Sequence, residues 1–95
     1  MTYLDEVRYA IKQLHGCESK HVQTVPVTEL FQGKIVWDGE VEVFDLMGHA
    51  KAKKAYAWGY PNLKGGLEVV AVLEIPPVES PQTAVRAAIA AQAKK

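Results

Sequence analysis

Ala55-Tyr56-Ala57-Trp58-Gly59-Tyr60, then Pro61-Asn62-Leu63-Lys64-Gly65-Gly66, then Leu67-Glu68-Val69-Val70-Ala71-Val72-Leu73-Glu74-Ile75: this run decides the fold. Successive side chains of a strand point to opposite faces. The first segment therefore puts Tyr56, Trp58 and Tyr60 on one face and Ala55, Ala57 and Gly59 on the other. The middle segment has hairpin length and carries two glycines, a turn signal. The last segment sets Leu67, Val69, Ala71, Leu73 and Ile75 on one face, with Val70 and Val72 between Glu68 and Glu74 on the other. Its near-continuous apolar character predicts a central strand.

Working back toward the N-terminus, Ile35 to Leu46 alternates, with Val41 and Val43 opposite Glu40 and Glu42. Asp38-Gly39 interrupts it and predicts a bulge or a hairpin with one short arm. His21 to Leu30 reads as extended through Val25, Val27 and Leu30. Pro26 cannot donate to a ladder, so this strand is expected at an edge. Gln32-Gly33 is a turn signal. Before these strands lies a helix. Thr2 is its cap, Asp5 and Glu6 lie in the first turn where the dipole favours acid, and Gly16 is its stop. Leu4, Val7, Ile11 and Leu14 form its apolar stripe, widened by Tyr3 and Ala10.

Beyond the hydrophobic strand, Pro76-Pro77 ends the sheet. Ser80 caps a second helix and Pro81 suits its first position, where the missing N–H would be unpaired anyway. The alanine-rich run to Ala93 has high helix propensity, a narrow stripe of Val85, Ala88 and Ile89, and Lys94 and Lys95 at the negative end of its dipole.

The expected architecture is one α+β domain spanning 1–95: N-terminal helix, a three- to four-stranded antiparallel meander, C-terminal helix. It reads as two layers with both helices on one face. The alanine helix fits the small side of the Ala55–Tyr60 strand. Tyr56, Trp58 and Tyr60 would then face outward with Val70, Val72 and Phe44. A monomer rarely exposes an apolar patch above roughly 300–600 Å². Such a face wants a partner, and a second copy is the simplest.

The 95 residues are 48% hydrophobic and 23% charged, with eleven Lys and Arg against eleven Asp and Glu. A neutral chain has no overall pull on nucleic acid or anionic lipid. The single cysteine, Cys17, excludes an internal disulfide and points to a reducing compartment. There is no signal-peptide pattern at the start and no apolar run near the ~20 residues of a membrane span. A cytoplasmic protein without a membrane partner is expected.

The candidate chemistry is sparse. His15, Cys17 and His21 give three possible metal ligands where structural zinc takes four, and read better as a helix-to-strand link. Cys17 beside a histidine is otherwise a nucleophile pattern. His49 follows Gly48 in the loop before the aromatic strand and is a possible acid or base. Glu40 and Glu42 lie on one strand face, about 7 Å apart. They read as a solvated face or as partners of basic side chains. Lys51, Lys53 and Lys54 stand next to Tyr56, Trp58 and Tyr60, the combination that single-stranded nucleic-acid binders use. No phosphate loop, dinucleotide fingerprint or hydrolase elbow is present, and no cofactor is expected.

The helix–strand–strand–strand–helix order resembles the double-stranded RNA-binding domain. That family places phosphate-contacting lysines at the start of its second helix, where this chain has Ser80-Pro81-Gln82-Thr83-Ala84-Val85. A second resemblance rests on Val41-Glu42-Val43-Phe44-Asp45-Leu46 with Gly48-His49, on Ala52-Lys53-Lys54-Ala55-Tyr56-Ala57-Trp58, and on Ser80-Pro81 with Ala84-Val85-Arg86-Ala87-Ala88-Ile89. Together, from Val25 to Ile89, these segments resemble small uncharacterised bacterial proteins of about this length. The resemblance implies a bacterial cytosolic protein and assigns no catalytic residue. Three functions follow in order: a non-enzymatic interaction domain that self-associates through its sheet face as a homodimer; a nucleic-acid-binding module using the lysines and aromatics; a small enzyme or ligand-binding domain using His49 with Trp37 or Tyr56.

Overall fold

The computed structural model describes residues 2–93; Lys94 and Lys95, assigned above to the helix dipole, lie outside them. The first helix, α1, is Tyr3–His15. Thr2 Oγ1 accepts from the Asp5 N–H at 3.2 Å, and the left-handed Gly16 closes the last turn by donating to the Lys12 carbonyl at 2.8 Å. Strands β1 (Glu18–Phe31), β2 (Lys34–Met47), β3 (Lys54–Pro61) and β4 (Leu67–Leu73) follow, then α2 (Pro81–Ala93). At the start of α2 the Thr83 N–H donates to Ser80 Oγ at 3.2 Å. The four strands form one antiparallel sheet in the order β1-β2-β3-β4. The α+β class, the helix–sheet–helix order and the meander are as the sequence predicts.

The placement of the helices differs from expectation. They take opposite faces, so the sheet is the middle layer. Against α1 lie Phe44, Ala57, Leu46, Val69 and Ala71, packed on Val7, Ile11 and Leu4. Against α2 lie Val27, Val41, Val43, Tyr56 and Trp58, packed on Ala84 and Val85, with Val70 and Val72 joining. The small side of β3 is thus covered by α1. The alanine helix covers the aromatic side, and Tyr56 and Trp58 are buried rather than outward-facing.

Two local facts explain the inversion. A Cβ on Gly59 would meet Tyr3 Cε1 and Leu67 Cδ1 at 3.0 Å, so the bare glycine makes the room that lets α1 approach. The Gly59 N–H then donates to the Tyr3 hydroxyl at 2.8 Å. On the other face, large sheet side chains meet small helix ones, the complementarity that fills a core without voids. Burying each large apolar side chain there stabilises by about 1.5–3 kcal/mol. Trp37 adds an edge-to-face contact with Trp58, ring centroids 5.4 Å apart.

Two further expectations need correction. Asp38-Gly39 is neither a turn nor a bulge, because β2 runs through it and the hairpin turns at Gln32-Gly33. Gly39 instead makes room for the Trp37 ring, whose Cη2 would lie 3.2 Å from an added Cβ. One register shift lies in β1, where Val22 is the extra residue between His21 and Gln23; the other lies in β2, where Val36 is extra between Ile35 and Trp37, just before the regularly paired Asp38 and Gly39. And β4 is not central. It pairs with β3 alone and forms one edge of the sheet, while β1, with Pro26, forms the other as predicted.

Candidate interaction surface

The open edge is built by β4. Its pairs with β3 run from Ala55–Leu73 through Trp58–Val70 to Pro61–Leu67. Two hydrogen bonds fix which way its backbone points. The Gly59 N–H turns away from β4 to Tyr3, so Gly59 and Val69 are a non-hydrogen-bonded pair and the polar groups of Val69 face outward. The Ala71 carbonyl also faces outward, where His15 Nε2 meets it at 3.1 Å. By the strand's period of two, Leu67, Val69 and Ala71 present N–H and C=O to the open side, as does the Leu73 N–H, while the Leu73 carbonyl already accepts from the Ile75 N–H at 2.9 Å. Glu74, one residue past β4, points inward and donates its N–H to the Lys54 carbonyl at 2.9 Å.

Apart from Glu68, every β4 side chain is only half-buried, although it is apolar. An apolar concavity of about 470 Å³ runs along this edge, walled by His15 from α1, by Val70, Ala71 and Leu73, and by Ala87 and Ala91 from α2. It contains no cluster of converging polar side chains.

The residues singled out in the sequence are dispersed. Tyr56 and Trp58 are in the core beneath α2, while Tyr60 is 44% exposed. The Tyr56 hydroxyl donates to Glu74 Oε2 at 2.5 Å and also lies 3.2 Å from the Glu79 carbonyl. Burial raises its pKa above the ordinary tyrosine value, and the bond to the Glu74 carboxylate raises it further. Lys54 pairs with Asp45 at 2.6 Å, whereas Lys51 and Lys53 are exposed in the loop. His49 organises that loop: its Nδ1 accepts from the Lys51 N–H at 3.1 Å and the Ala52 N–H at 2.9 Å. The structure therefore separates the lysines from the ring faces of Tyr56 and Trp58, and ties His49 to backbone.

His15, Cys17 and His21 do not converge. His15 is on the β4 edge, Cys17 is buried rather than an exposed link, and His21 turns to Glu42. Among the described residues no group of three or more His, Cys, Asp or Glu is placed to hold a metal ion.

Glu42 is the residue whose environment the sequence concealed. It is 6% exposed, accepts from Thr24 Oγ1 at 2.5 Å and lies 2.9 Å from His21 Nε2. The β1 register shift after His21 makes this possible, because it turns His21 toward the α1 face that Glu42 occupies. His21 also packs edge-to-face on Phe44 at 5.3 Å. A cleft of about 410 Å³ beside it is lined by Arg8, Asp5, Ser19 and Lys20. Arg8 Nε donates to the Ser19 carbonyl at 3.1 Å, so its guanidinium helps to bridge α1 to β1. The contacts of His21, Glu42 and Arg8 all hold β1 to its neighbours.

A second apolar region lies where β1 and β2 pair with each other beyond the reach of β3, which meets β2 only over Glu42–Asp45. Leu30, Phe31, Ile35 and Val36 are exposed on this arm. At its base Glu29 is held by Arg86 Nε at 2.8 Å and by Gln82. The Arg86 hydrogen bond draws the Glu29 carboxyl below its ordinary value.

Among the described residues no helix is long and apolar enough to cross a membrane. No family model, no curated protein and no solved structure matches this chain.

Proposed function

We propose that this chain is a non-enzymatic interaction domain that self-associates through its sheet, by the open edge rather than by a face. The observation that carries this reading is β4, a strand of central-strand composition in an edge position. Buried strands read as continuous apolar runs because both of their faces are covered. Edge strands that stay single are blunted by charge, proline or bulges. Leu67–Leu73 has neither proline nor lysine and pairs with β3 without a register shift. The face route expected from the sequence is closed, because Tyr56 and Trp58 are occupied by α2.

Sedimentation velocity from low-micromolar to near-millimolar protein tests the proposal. A concentration-dependent shift from monomer to dimer is expected. A clean monomer across the whole range overturns it. The nucleic-acid reading retains exposed Lys51 and Lys53 but loses the adjacent stacking platform; salt-dependent retention of RNA or DNA on a filter would restore it.

A further inference from the structure

We infer that the partner of β4 is the β4 of a second copy, paired antiparallel about a two-fold axis at Val70, with His15 guarding the seam. This rests on the self-association reading above and specifies its geometry.

Only odd-numbered residues of β4 present backbone groups outward, as the bonds of Gly59 to Tyr3 and of Ala71 to His15 require. A two-fold antiparallel seam must then centre on or between these residues. Centred on Ala71, it would place Glu68 opposite Glu74 of the second copy, a like-charge pair that destabilises a ladder. Centred on Val69, it would leave Leu73 opposite Gly65, beyond the end of the strand. Centred on Val70, the strand matches itself end to end: Leu67 opposes Leu73, Glu68 opposes Val72, and Val69 exchanges both hydrogen bonds with Ala71. No carboxylate then meets another. The small Ala87 and Ala91 leave the apolar concavity of about 470 Å³ open along this seam, so α2 does not obstruct the approach.

One side chain does obstruct it, and at the seam's end the Leu73 carbonyl must be shared with the Ile75 N–H that it already accepts at 2.9 Å. The Ala71 carbonyl must accept from Val69 of the second copy, and His15 Nε2 already holds it at 3.1 Å. The imidazole stands where the incoming strand has to lie. In the monomer His15 satisfies one outward acceptor of the edge; in the dimer it swings aside. His15 therefore weakens association by competing for one hydrogen bond.

Oxidative cross-linking reads the seam directly. Val70 has its own amide turned inward, so at the axis it faces its copy as a non-hydrogen-bonded pair, about 4.5 Å apart at Cα. That lies within the disulfide range of about 4.4–6.8 Å. Val70→Cys is expected to give a covalent dimer under mild oxidant, and Val72→Cys, which faces Glu68, is not. Val69→Pro, whose N–H points outward, should sediment as a folded monomer by circular dichroism. His15→Ala should tighten the dimer by about threefold to tenfold, the worth of one hydrogen bond. A dimer in sedimentation with no Val70→Cys disulfide overturns the seam while leaving self-association standing. A monomer at every concentration, in the parent and in His15→Ala, overturns both. Cross-linking at Val70 with an unchanged His15→Ala equilibrium removes the guard.

Discussion

The two edges of this sheet are finished differently. β1 is long, 14 residues, and is irregular. Pro26 removes a donor, and the extra residue Val22 breaks its register after His21. Its exposed positions include Lys20, Gln23, Thr24 and Thr28. β4 is short, straight in register and apolar on both faces. A strand's place in a fold and its composition normally agree. At β1 they do, and at β4 they do not.

That contrast can be broken or sharpened from either side. The largest effect is expected from Trp58→Ala, which empties the core beneath α2 and removes the side chain opposite Val70. It should cost about 3–5 kcal/mol in urea unfolding, and amide exchange should accelerate more in β4 than in β1. Equal acceleration at both edges would show that Trp58 does not anchor β4 in particular. Glu42→Ala acts on the β1 side. It strips His21 and Thr24 of their shared acceptor, for an expected loss of about 1–3 kcal/mol. Exchange should rise first in β1, around Thr24.

Tyr56→Phe removes the hydroxyl that ties β3 to Glu74 just past β4, at about 1 kcal/mol near neutral pH. Its pH dependence has a definite sign. The folded pKa lies above the ordinary 10.0, so the stabilisation is complete below pH 10 and is lost as pH rises through the folded value. The parent should lose stability in alkali with a slope that Tyr56→Phe lacks; identical alkaline profiles would refute this. The smallest effect on stability, within about 0.5 kcal/mol, is expected from Pro26→Val. It restores an outward N–H to the finished edge and should raise the mass of the sedimenting species without changing the unfolding midpoint much.

Local chemistry was legible in the sequence. The cap at Thr2, the stop at Gly16, the Ser80-Pro81 helix start, the alternation in Ala55–Tyr60 and the edge role of Pro26 all depend on near neighbours. What the sequence concealed depends on pairs far apart. Tyr3 and Gly59 together decide which helix takes the small face of β3, and neither announces the other. Asp38-Gly39 carries a turn signature, yet its glycine serves the ring of Trp37 within the same strand. Periodicity showed Glu40 and Glu42 as equivalent, because the β1 shift that brings His21 to Glu42 alone lies on another strand. The apolar run of β4 carries its strand composition but not its position, because its place at the edge depends on which strands pair.

In the proposed dimer, Pro26 and the break at Val22 in β1 would set the stoichiometry. A sheet with two receptive edges adds copies head to tail without limit and grows into a fibre. Once two β4 strands close on each other, the only edges left are two copies of β1, each lacking a donor at Pro26 and each irregular in register. Growth stops there. On that proposal the proline of β1 would act at a distance from the seam, by making two the terminal count.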